Sequence, residues 1–286
     1  MIKLQQPICE LSLPPKVFCG QRERYSTATA IAFITEKLFI TAAFNSKNIY
    51  LIEIQEDNTF NTLDVIKANH HPDIADYKDG VLALSGYPHG ESSGWAQIYD
   101  IVDNKIIHRK DIELPHTKAH GVEIIDDYGL IITSNGDNNR GIMFLNIDEG
   151  KLLQNFNNFE YYPKDVFIKD NRLLVVTSQS LPEVGKSVII KESVLYLFTL
   201  DTLEKLDEVR FQGQTDSLTL LGENGFVTLQ GDDTLLHFTL IHDKLSIIKR
   251  IPGFSFPHGI DSISNTIGVT NYGTNQIYFY QLEEFL

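Results

Sequence analysis

The sequence predicts an all-β fold: a six-bladed β-propeller with four-stranded blades, the last of which is closed by the N-terminal strand. Three observations support this prediction. A pattern of short apolar runs and polar turns recurs six times along the chain. Each copy spans about 40 to 50 residues, the length expected of one four-stranded blade. Within the copies, apolar and polar residues alternate with a period of two, which is typical of strands.

The six repeats align on the first buried position of each copy. These positions are 43, 48, 44, 52 and 42 residues apart and are occupied by Ile31, Ile74, Val122, Val166, Leu218 and Ile260. The second apolar run of every copy ends on a hydroxyl side chain, namely Thr41, Ser85, Thr133, Thr177, Thr228 and Thr270. One domain of 286 residues is therefore expected, with blades at 25–68, 69–115, 116–160, 161–214, 215–254 and 255–286.

The two ends of the chain complement each other. The sixth copy supplies only three strands, near 258–263, 266–270 and 276–282. Residues 5–13 form an additional alternating segment at the other end. This segment is predicted to complete the last blade as its outer strand, because an open sheet edge leaves backbone groups unpaired.

Composition narrows the classes of partner. The formal net charge is −14 and no basic run interrupts the acidic excess, so neither nucleic acid nor an anionic membrane is an expected partner. No apolar run approaches the ~18 residues of a membrane span, and no signal peptide is recognisable. The two cysteines lack metal-type spacing and are too few for a disulfide scaffold. A cytoplasmic location is the resulting expectation.

An HG dipeptide begins the third and sixth copies, as HGVE at 120–123 and HGID at 258–261. Copies three apart face each other across the axis of a six-membered ring. His120 and His258 are therefore expected to point at one channel mouth from opposite walls. Imidazoles at that place suit metal ligation or proton transfer. The alternative is structural: the histidine bonds to a neighbouring strand and the glycine relieves crowding.

Several carboxylates lie close to these histidines in the repeat. Glu123 and Asp261 follow three residues further along the same strands and are candidates for catalytic carboxylates, metal ligands or groups that bind water in the channel. A second acidic set begins other strands and comprises Asp73, Asp165 and Asp216. Oxygen ligands of this kind suit calcium or magnesium, although aspartate is also common in turns for conformational reasons.

A further group of side chains is expected to bind substrate at the same mouth. Long loops at 86–95 and 178–193 follow second strands, and long insertions in regular repeats often serve binding. The alternative explanation is that these loops became longer without acquiring a function. The predicted substrate-binding residues are His71, Tyr87, His89, Trp95, Tyr162, Lys164, Phe256 and Asn271.

The third and sixth copies resemble the blades of NHL-type and lactonase-type propellers. The resemblance rests on PHGI at 257–260 and TNYGTNQIYFY at 270–280. It implies a six-bladed propeller of a superfamily that includes gluconolactonase-like lactone hydrolases, streptogramin-type lyases, strictosidine-synthase-like cyclases and non-catalytic interaction propellers. It also implies metal or acid-base residues at the channel mouth, here His120 and His258. The first copy lacks the early Gly-Glu metal-ligand motif of the gluconolactonase group.

Two functions stay open on the sequence. One is an enzyme, a hydrolase, lyase or cyclase, that acts on a small organic molecule with one divalent ion (calcium, magnesium or zinc) as its sole cofactor. In that hypothesis His120 and His258 are the metal ligands or the acid-base pair. The other is a non-catalytic propeller that presents its loop-rich face to a protein or a small ligand. No GxSxG, P-loop, HExxH or Rossmann glycine motif selects between the two.

Overall fold

The six repeats form six four-stranded antiparallel sheets around a central channel in the computed structural model of the protein. The structure describes residues 9–13, 17–19, 22–24, 27–86, 93–115, 118–126, 129–134, 140–179 and 192–286. The innermost strands of consecutive sheets contact one another, and the sixth contacts the first. The predicted six-bladed β-propeller is confirmed.

The chain begins with β1 (Cys9–Ser12) and a small hairpin of β2 (Val17–Cys19) and β3 (Arg22–Arg24). Blade 1 contains β4 (Ala28–Thr35), β5 (Leu38–Ala43), β6 (Asn48–Ile54) and β7 (Phe60–Lys67). Blade 2 contains β8 (Pro72–Lys78), β9 (Val81–Gly86), β10 (Ser93–Val102) and β11 (Lys105–Pro115). Blade 3 contains β12 (Ala119–Asp126), β13 (Gly129–Ser134), β14 (Gly141–Asn146) and β15 (Lys151–Phe156).

Blade 4 contains β16 (Tyr162–Lys169), β17 (Arg172–Ser178), β18 (Glu192–Thr199) and β19 (Lys205–Gln212). Blade 5 contains β20 (Thr215–Leu221), β21 (Asn224–Leu229), β22 (Thr234–Ile241) and β23 (Lys244–Pro252), with a short 3-10 helix at Gln230–Asp232. Blade 6 contains β24 (Pro257–Ile263), β25 (Thr266–Asn271) and β26 (Gln276–Gln281), followed by a 3-10 helix at Leu282–Glu284.

Blade 6 is completed by the N-terminal strand, as the sequence predicts. Strand β1 pairs antiparallel with β26 in a register that sets Leu11 opposite Ile277. The side chain of Asn275 clasps the junction: its Nδ2 donates to Leu13 O at 3.0 Å, and its Oδ1 accepts from Ala28 N at 3.1 Å. One residue thus ties the closing strand to the first strand of blade 1.

Turn residues set the hairpins within the blades. Asp103 and Asn104 join β10 to β11 with φ values of 49° and 57°, and Val102 pairs with Lys105 on either side of them. Two central residues with positive φ define the turn that matches the natural twist of paired strands. Asp and Asn tolerate this conformation better than bulky residues do, so the turn follows directly from the sequence.

The hydrophobic core is divided among the spaces between blades. The described residues form six clusters of buried apolar side chains, and each cluster combines residues from two neighbouring blades. The sixth interface joins blades 6 and 1 and includes Leu13, Phe33, Phe39 and Phe279. Because each sheet buries both faces against its neighbours, the hydrophobic effect favours the closed ring over any open arrangement.

Hydroxyl side chains at the ends of second strands link the innermost strands. Each innermost strand begins with a β-bulge, where two residues face one on the second strand. In four blades the hydroxyl opposite the bulge makes two hydrogen bonds. It accepts one from a backbone N–H of its own blade and donates one to a backbone carbonyl of the next blade. These hydroxyls belong to Ser85, Thr133, Thr228 and Thr270. Thr41 and Thr177 instead donate to carbonyls of their own blades.

Removal of residues 1–13 is expected to lower the free energy of unfolding by at least about 3 kcal/mol, because buried Leu13 is lost and the edge of β26 becomes unpaired. Urea denaturation followed by circular dichroism measures the change. Asn275→Ala keeps the closing strand but removes its clasp, so we expect an intermediate loss of about 1–2 kcal/mol. An unchanged denaturation midpoint in the truncated chain would show that closure does not depend on this strand.

Candidate functional site

Four ionisable side chains meet at one mouth of the channel. Each is the second residue of an innermost strand: Asp73 on β8, His120 on β12, Asp216 on β20 and His258 on β24. The histidines come from opposed blades 3 and 6, and their ring centroids are 5.9 Å apart. The aspartates come from opposed blades 2 and 5. All four side chains are buried. The convergence expected for the two histidines is present; their chemical role stays a prediction.

The two aspartates lie between the two imidazoles. His120 Nε2 is 2.9 Å from Asp216 Oδ1 and 3.6 Å from Asp73 Oδ2. His258 Nε2 is 2.8 Å from Asp216 Oδ2 and 3.3 Å from Asp73 Oδ1. Both Nε2 atoms therefore face both carboxylates, and we call these four residues the mouth cluster.

The glycine of each HG pair allows the next blade to approach. A Cβ on Gly121 would lie 2.5 Å from Asp165 Cα, and one on Gly259 would lie 2.3 Å from Thr29 O, distances that real Cβ atoms do not show. Close approach brings a carbonyl oxygen of the next blade to each histidine: His120 Nδ1 is 2.9 Å from Lys164 O, and His258 Nδ1 is 3.2 Å from Thr29 O. The HG pair thus orients its imidazole as well as relieving crowding.

These carbonyl contacts determine where the imidazole protons lie. A carbonyl oxygen only accepts hydrogen bonds, so Nδ1 of both histidines carries a hydrogen. Each Nε2 then either carries a second proton or presents a lone pair toward two carboxylates. A lone pair facing a carboxylate is repelled unless a cation lies between them. The mouth cluster therefore requires positive charge, either as protons on the imidazoles or as a metal ion.

The pKa shifts within the cluster agree with this requirement. Burial opposes the charged form of His258, but Asp216 and Asp73 beside it raise the pKa of its imidazole to about 10. Burial would raise the pKa of Asp216, but His258 and His120 outweigh it and hold that pKa well below its usual range. Without a metal ion, His258 is thus a cation paired with the Asp216 carboxylate at neutral pH.

Three members of the cluster could also hold a metal ion. Asp73, His120 and His258 each offer one ligand atom, and these atoms lie within 4.8 Å of one another. Asp73 Oδ2 is buried and has no hydrogen-bond partner among the described residues. Buried polar atoms are seldom left unpaired, so this oxygen is the one most in need of a further ligand. Lys164 adds a cation at the rim, with its Nζ 3.9 Å from Asp216 Oδ1.

Glu123 and Asp261 lie deeper in the channel and connect blades. Glu123 Oε1 accepts a hydrogen bond from Ile168 N of the next blade at 2.9 Å, and Asp261 Oδ2 accepts one from Phe33 N at 2.7 Å. Asp76 forms the same bond to blade 3, and Asp165 forms it to blade 5. These four carboxylates act as latches between innermost strands, whatever further role Glu123 and Asp261 have.

The latch carboxylates surround a small cavity of about 30 Å³ in the channel. Burial raises the pKa of Asp76 to about 6 and those of Asp165 and Asp261 to about 7. It also raises the pKa of Glu123 well above its usual value, and the charge of Asp76 adds to the effect. Part of this acidic ring is therefore protonated near neutral pH. A cavity of this size has room for water between the side chains.

The predicted substrate-binding residues separate into two groups. Lys164 and Phe256 lie at the mouth, and Asn271 supports it, since its Oδ1 accepts from Ser255 N at 3.0 Å beside Phe256. Of the other described residues, His71 packs against Phe44, which lines a cavity that also includes Asp73 and His258. Trp95 contacts His70, and Tyr162 contacts Arg140. Tyr87 and His89 lie outside the described residues, so their predicted role is untested.

The sequence grouped Asp73 and Asp216 in a second acidic set, although Asp216 shares the repeat position of the two histidines; the structure unites all four side chains. Register was the available signal for Asp216, which stands two residues before buried Leu218 just as His120 stands two before Val122. For Asp73 the alignment of the repeats was wrong by one residue, because it took Ile74 as the first buried position of blade 2. Strand pairing shows that Ala75, not Ile74, corresponds to Val122 in blade 2. Gln230, whose Nε2 donates to Asp216 Oδ2, carried no sequence signal.

No protein-family model matches the sequence, and no curated protein matches it either. Solved structures do share the fold. Virginiamycin B lyase from Staphylococcus aureus is 15% identical with a TM-score of 0.60, over 96% of this chain and 98% of that chain. Kuenenia stuttgartiensis hydrazine synthase is 14% identical with a TM-score of 0.61, over 91% of this chain and 86% of that chain.

A third similar structure is the WD40 β-propeller domain of Doa1. It is 9% identical with a TM-score of 0.63, over 94% of this chain and 95% of that chain. At such identities the likeness shows the fold alone, and the neighbours include enzymes as well as WD40 propellers. Among the residues described, no helix has the length and apolar character needed to cross a membrane.

Replacing Asp261 with Asn is expected to weaken the pH dependence of stability. The raised pKa of Asp261, about 7, means that the folded protein keeps a proton that the unfolded chain releases at lower pH. The stabilisation that this proton provides is complete below the pKa of Asp261 in the unfolded chain, and it is lost as the pH rises through about 7. Between about pH 5 and pH 8, the unfolding free energy of the wild type should fall on the order of 2 kcal/mol further than that of Asp261→Asn.

Urea denaturation at the two pH values measures this difference. Asp103→Asn is the matched control, because Asp103 is an exposed turn carboxylate whose left-handed backbone suits Asn. The control should keep the wild-type pH dependence. Equal pH dependence in Asp261→Asn and wild type would contradict the raised pKa of this latch.

Proposed function

We propose that the protein is an enzyme that acts on a small organic molecule at the channel mouth, with a divalent metal ion held by Asp73, His120 and His258. The observation that carries the proposal is the buried cluster of two opposed imidazoles whose Nε2 atoms face the same two carboxylates. A propeller that needs only to stay folded gains little from placing four ionisable groups together in a buried position.

The donor atoms fit a metal in three respects. Both Nδ1 atoms are bonded to carbonyl oxygens, which is the usual arrangement behind a ligating imidazole. Asp73 Oδ2 lacks a hydrogen-bond partner among the described residues. Asp73 Oδ1 is 3.3 Å from His258 Nε2, and Asp73 Oδ2 is 3.6 Å from His120 Nε2. Both distances are close to the roughly 3.3–3.5 Å between ligands of a tetrahedral site with bonds of about 2.0–2.1 Å.

The donor chemistry favours zinc or another first-row transition metal over calcium and magnesium. Two imidazole nitrogens and a carboxylate are typical ligands of zinc, whereas calcium takes about six to eight oxygens and magnesium keeps several waters. Asp216 lies 2.9 and 2.8 Å from the two Nε2 atoms, which is hydrogen-bond distance, so it pairs with the imidazoles and is not one of the three donors. Zinc is therefore the first metal to test.

A bound ion would polarise a carbonyl oxygen or lower the pKa of a water molecule. Hydrolysis, elimination and cyclisation can each use one of these effects, which is why the reaction class stays a hydrolase, lyase or cyclase. Lys164 is positioned at the rim to attract an anionic group of the substrate or to stabilise negative charge on it. Virginiamycin B lyase and hydrazine synthase are examples of enzymes with a similar fold.

A non-catalytic propeller is the second candidate, and one observation favours it. Asp216 pairs with both imidazoles at hydrogen-bond distance, so two protonated histidines would balance two carboxylates without any metal. The cluster would then be a structural connection across the channel, and the loop-rich face would bind a protein or small ligand. Metal content separates the two candidates.

Protein treated with a chelator and reloaded with zinc is expected to retain about one ion per chain after washing, as measured by elemental analysis. His120→Asn and Asp73→Asn should each weaken zinc binding at least about tenfold. Loss of a residue that only hydrogen-bonds to a metal ligand already lowers metal affinity about 10–100-fold. His242→Asn is the matched control. His242 is exposed in a left-handed turn that suits Asn, and this variant should bind zinc as the wild type does.

Turnover of a panel of lactones and esters, measured before and after chelation, tests the enzymatic part. Activity that returns with zinc in the wild type but not in His120→Asn would support the proposal. If the wild type retains no divalent ion after reloading with zinc, manganese, calcium or magnesium, the metal-dependent proposal is refuted and the structural connection is favoured.

A further inference from the structure

A cavity of about 160 Å³ opens directly beside the mouth cluster. Its walls are the rings of Phe44, Phe256 and Tyr272, and its floor includes Asp73 and His258. Phe256 and Tyr272 meet at an angle of 52° with ring centroids 5.6 Å apart, so they form a corner rather than a parallel stack. The Tyr272 ring also lies nearly parallel to the imidazole of His258, at 5.9 Å and 21°.

The size and lining of this cavity suit one aromatic ring. A volume of about 150 Å³ is enough to hold a benzene ring, and three of the seven lining residues of this cavity are Phe or Tyr. Rings that meet at an angle can offer a guest both edge-to-face and stacked contacts, which aromatic groups prefer. The cavity opens to the surface, since Phe256 is 38% exposed. A ring bound there would lie against the floor that holds Asp73 and His258.

The backbone of Phe256 supplies an independent indication of function. Its φ is 50°, in the left-handed region that bulky residues rarely occupy. The surrounding structure holds it there: Phe256 N donates to Asp233 Oδ1 at 2.7 Å, and Tyr272 N donates to Phe256 O at 3.1 Å. Strain of this kind tends to occur at functional sites. A partly exposed phenylalanine contributes little hydrophobic stabilisation to the fold, so stability alone does not explain why Phe is found at position 256.

The charges at the floor favour a neutral ring over an organic cation. Both oxygens of Asp73 already face imidazole Nε2 atoms, at 3.3 and 3.6 Å. Gln230, which also lines the cavity, directs its amide nitrogen to Asp216. Asp73 is the one carboxylate among the described lining residues, and in the proposed function it is a metal ligand rather than a partner for an ammonium group. Beside these polar groups, the cavity offers a ring the aromatic side chains of Phe44, Phe256 and Tyr272.

We propose that this cavity is a specificity pocket for an aromatic ring of the substrate, with Phe256 as its main recognition residue. The proposal rests on the proposed function in one respect, that the ring belongs to the molecule on which the mouth cluster acts. The ring would place the substituent it carries next to Asp73 and His258. The substrate class is thereby narrowed to small aromatic compounds.

Phenol is the probe for the pocket, and its binding to the full chain is measured by NMR titration without metal or turnover. Phe256→Asn is expected to raise the dissociation constant of phenol at least about fivefold, because the pocket loses one of its aromatic walls. The same variant should melt at the wild-type temperature or above it, because Asn tolerates the left-handed backbone at position 256 better than Phe does. A structural role for Phe256 would instead lower the melting temperature.

Leu153→Asn is the control for loss of an exposed apolar side chain, since Leu153 is 61% exposed on the outer strand of blade 3. It should bind phenol as the wild type does. Cyclohexanol tests the aromatic preference and should bind the wild type at least about threefold more weakly than phenol. If Phe256→Asn proves unstable, Tyr272→Leu is expected to weaken phenol binding by a similar factor.

His120→Asn separates this proposal from the metal site. His120 is not among the lining residues of the cavity, so this variant should lose zinc and keep phenol binding. Absence of saturable phenol binding, phenol binding unaffected by Phe256→Asn, or equal binding of phenol and cyclohexanol would each overturn the aromatic pocket. None of these outcomes bears on whether the mouth cluster binds metal.

Discussion

Hydrogen bonds between neighbouring innermost strands are the interactions on which the channel depends. At the mouth, hydroxyl groups such as those of Thr133 and Thr270 donate to carbonyl oxygens of the next blade. Deeper in the channel, carboxylates such as Asp261 accept N–H groups of the next blade. Apolar packing would hold the blades together at many relative positions, since it is not directional. The crossing bonds fix one position.

The mouth cluster is a product of these same contacts. Lys164 O and Thr29 O each accept a hydroxyl hydrogen and face Nδ1 of a histidine, so the bond that fixes a blade also fixes an imidazole. Gly121 and Gly259 are required because any side chain there would separate the strands. The same carbonyl oxygens therefore hold neighbouring blades together and orient the imidazoles. Substitutions at the HG pairs are expected to affect both the stability of the fold and the mouth cluster.

Much of the fold was predictable from the sequence because the repeat is regular. Six matched copies and a short last copy were sufficient to predict the ring and its closing strand, as hydrophobic periodicity reports burial directly. The opposed positions of His120 and His258 followed from the count of blades. Asp73 was harder to place, because Ile74 was taken as the first buried position of its copy, whereas strand pairing gives that position to the partly buried Ala75.

Other parts of the site had no counterpart in sequence pattern. Phe256 was named among the aromatic residues of the mouth, but its left-handed backbone was not foreseen, since only tertiary contacts hold a bulky residue in that conformation. The latch role of Glu123 was also missed, because it depends on a backbone N–H of a different repeat. Periodicity locates a side chain on a face; it does not identify its partner across an interface.

The mouth cluster can carry its positive charge in two forms. Two protons on the imidazoles and one divalent ion have the same charge, and both balance Asp73 and Asp216. A cluster occupied by protons would hold blades 2, 3, 5 and 6 together across the channel. A cluster occupied by a metal would do the same and would add Lewis-acid chemistry. The metal-dependent enzyme and the structural connection thus differ in which cation the cluster carries.

The clasp formed by Asn275 has a consequence for folding. It joins residues 262 positions apart, so the contact that seals the ring forms between segments that are far apart in the sequence. Contacts of such long range are slow to form because the chain loses entropy before it gains them. Until blade 6 is in place, one apolar face of blade 1 and one apolar face of blade 5 stay uncovered. Uncovered apolar faces of this kind promote aggregation during folding.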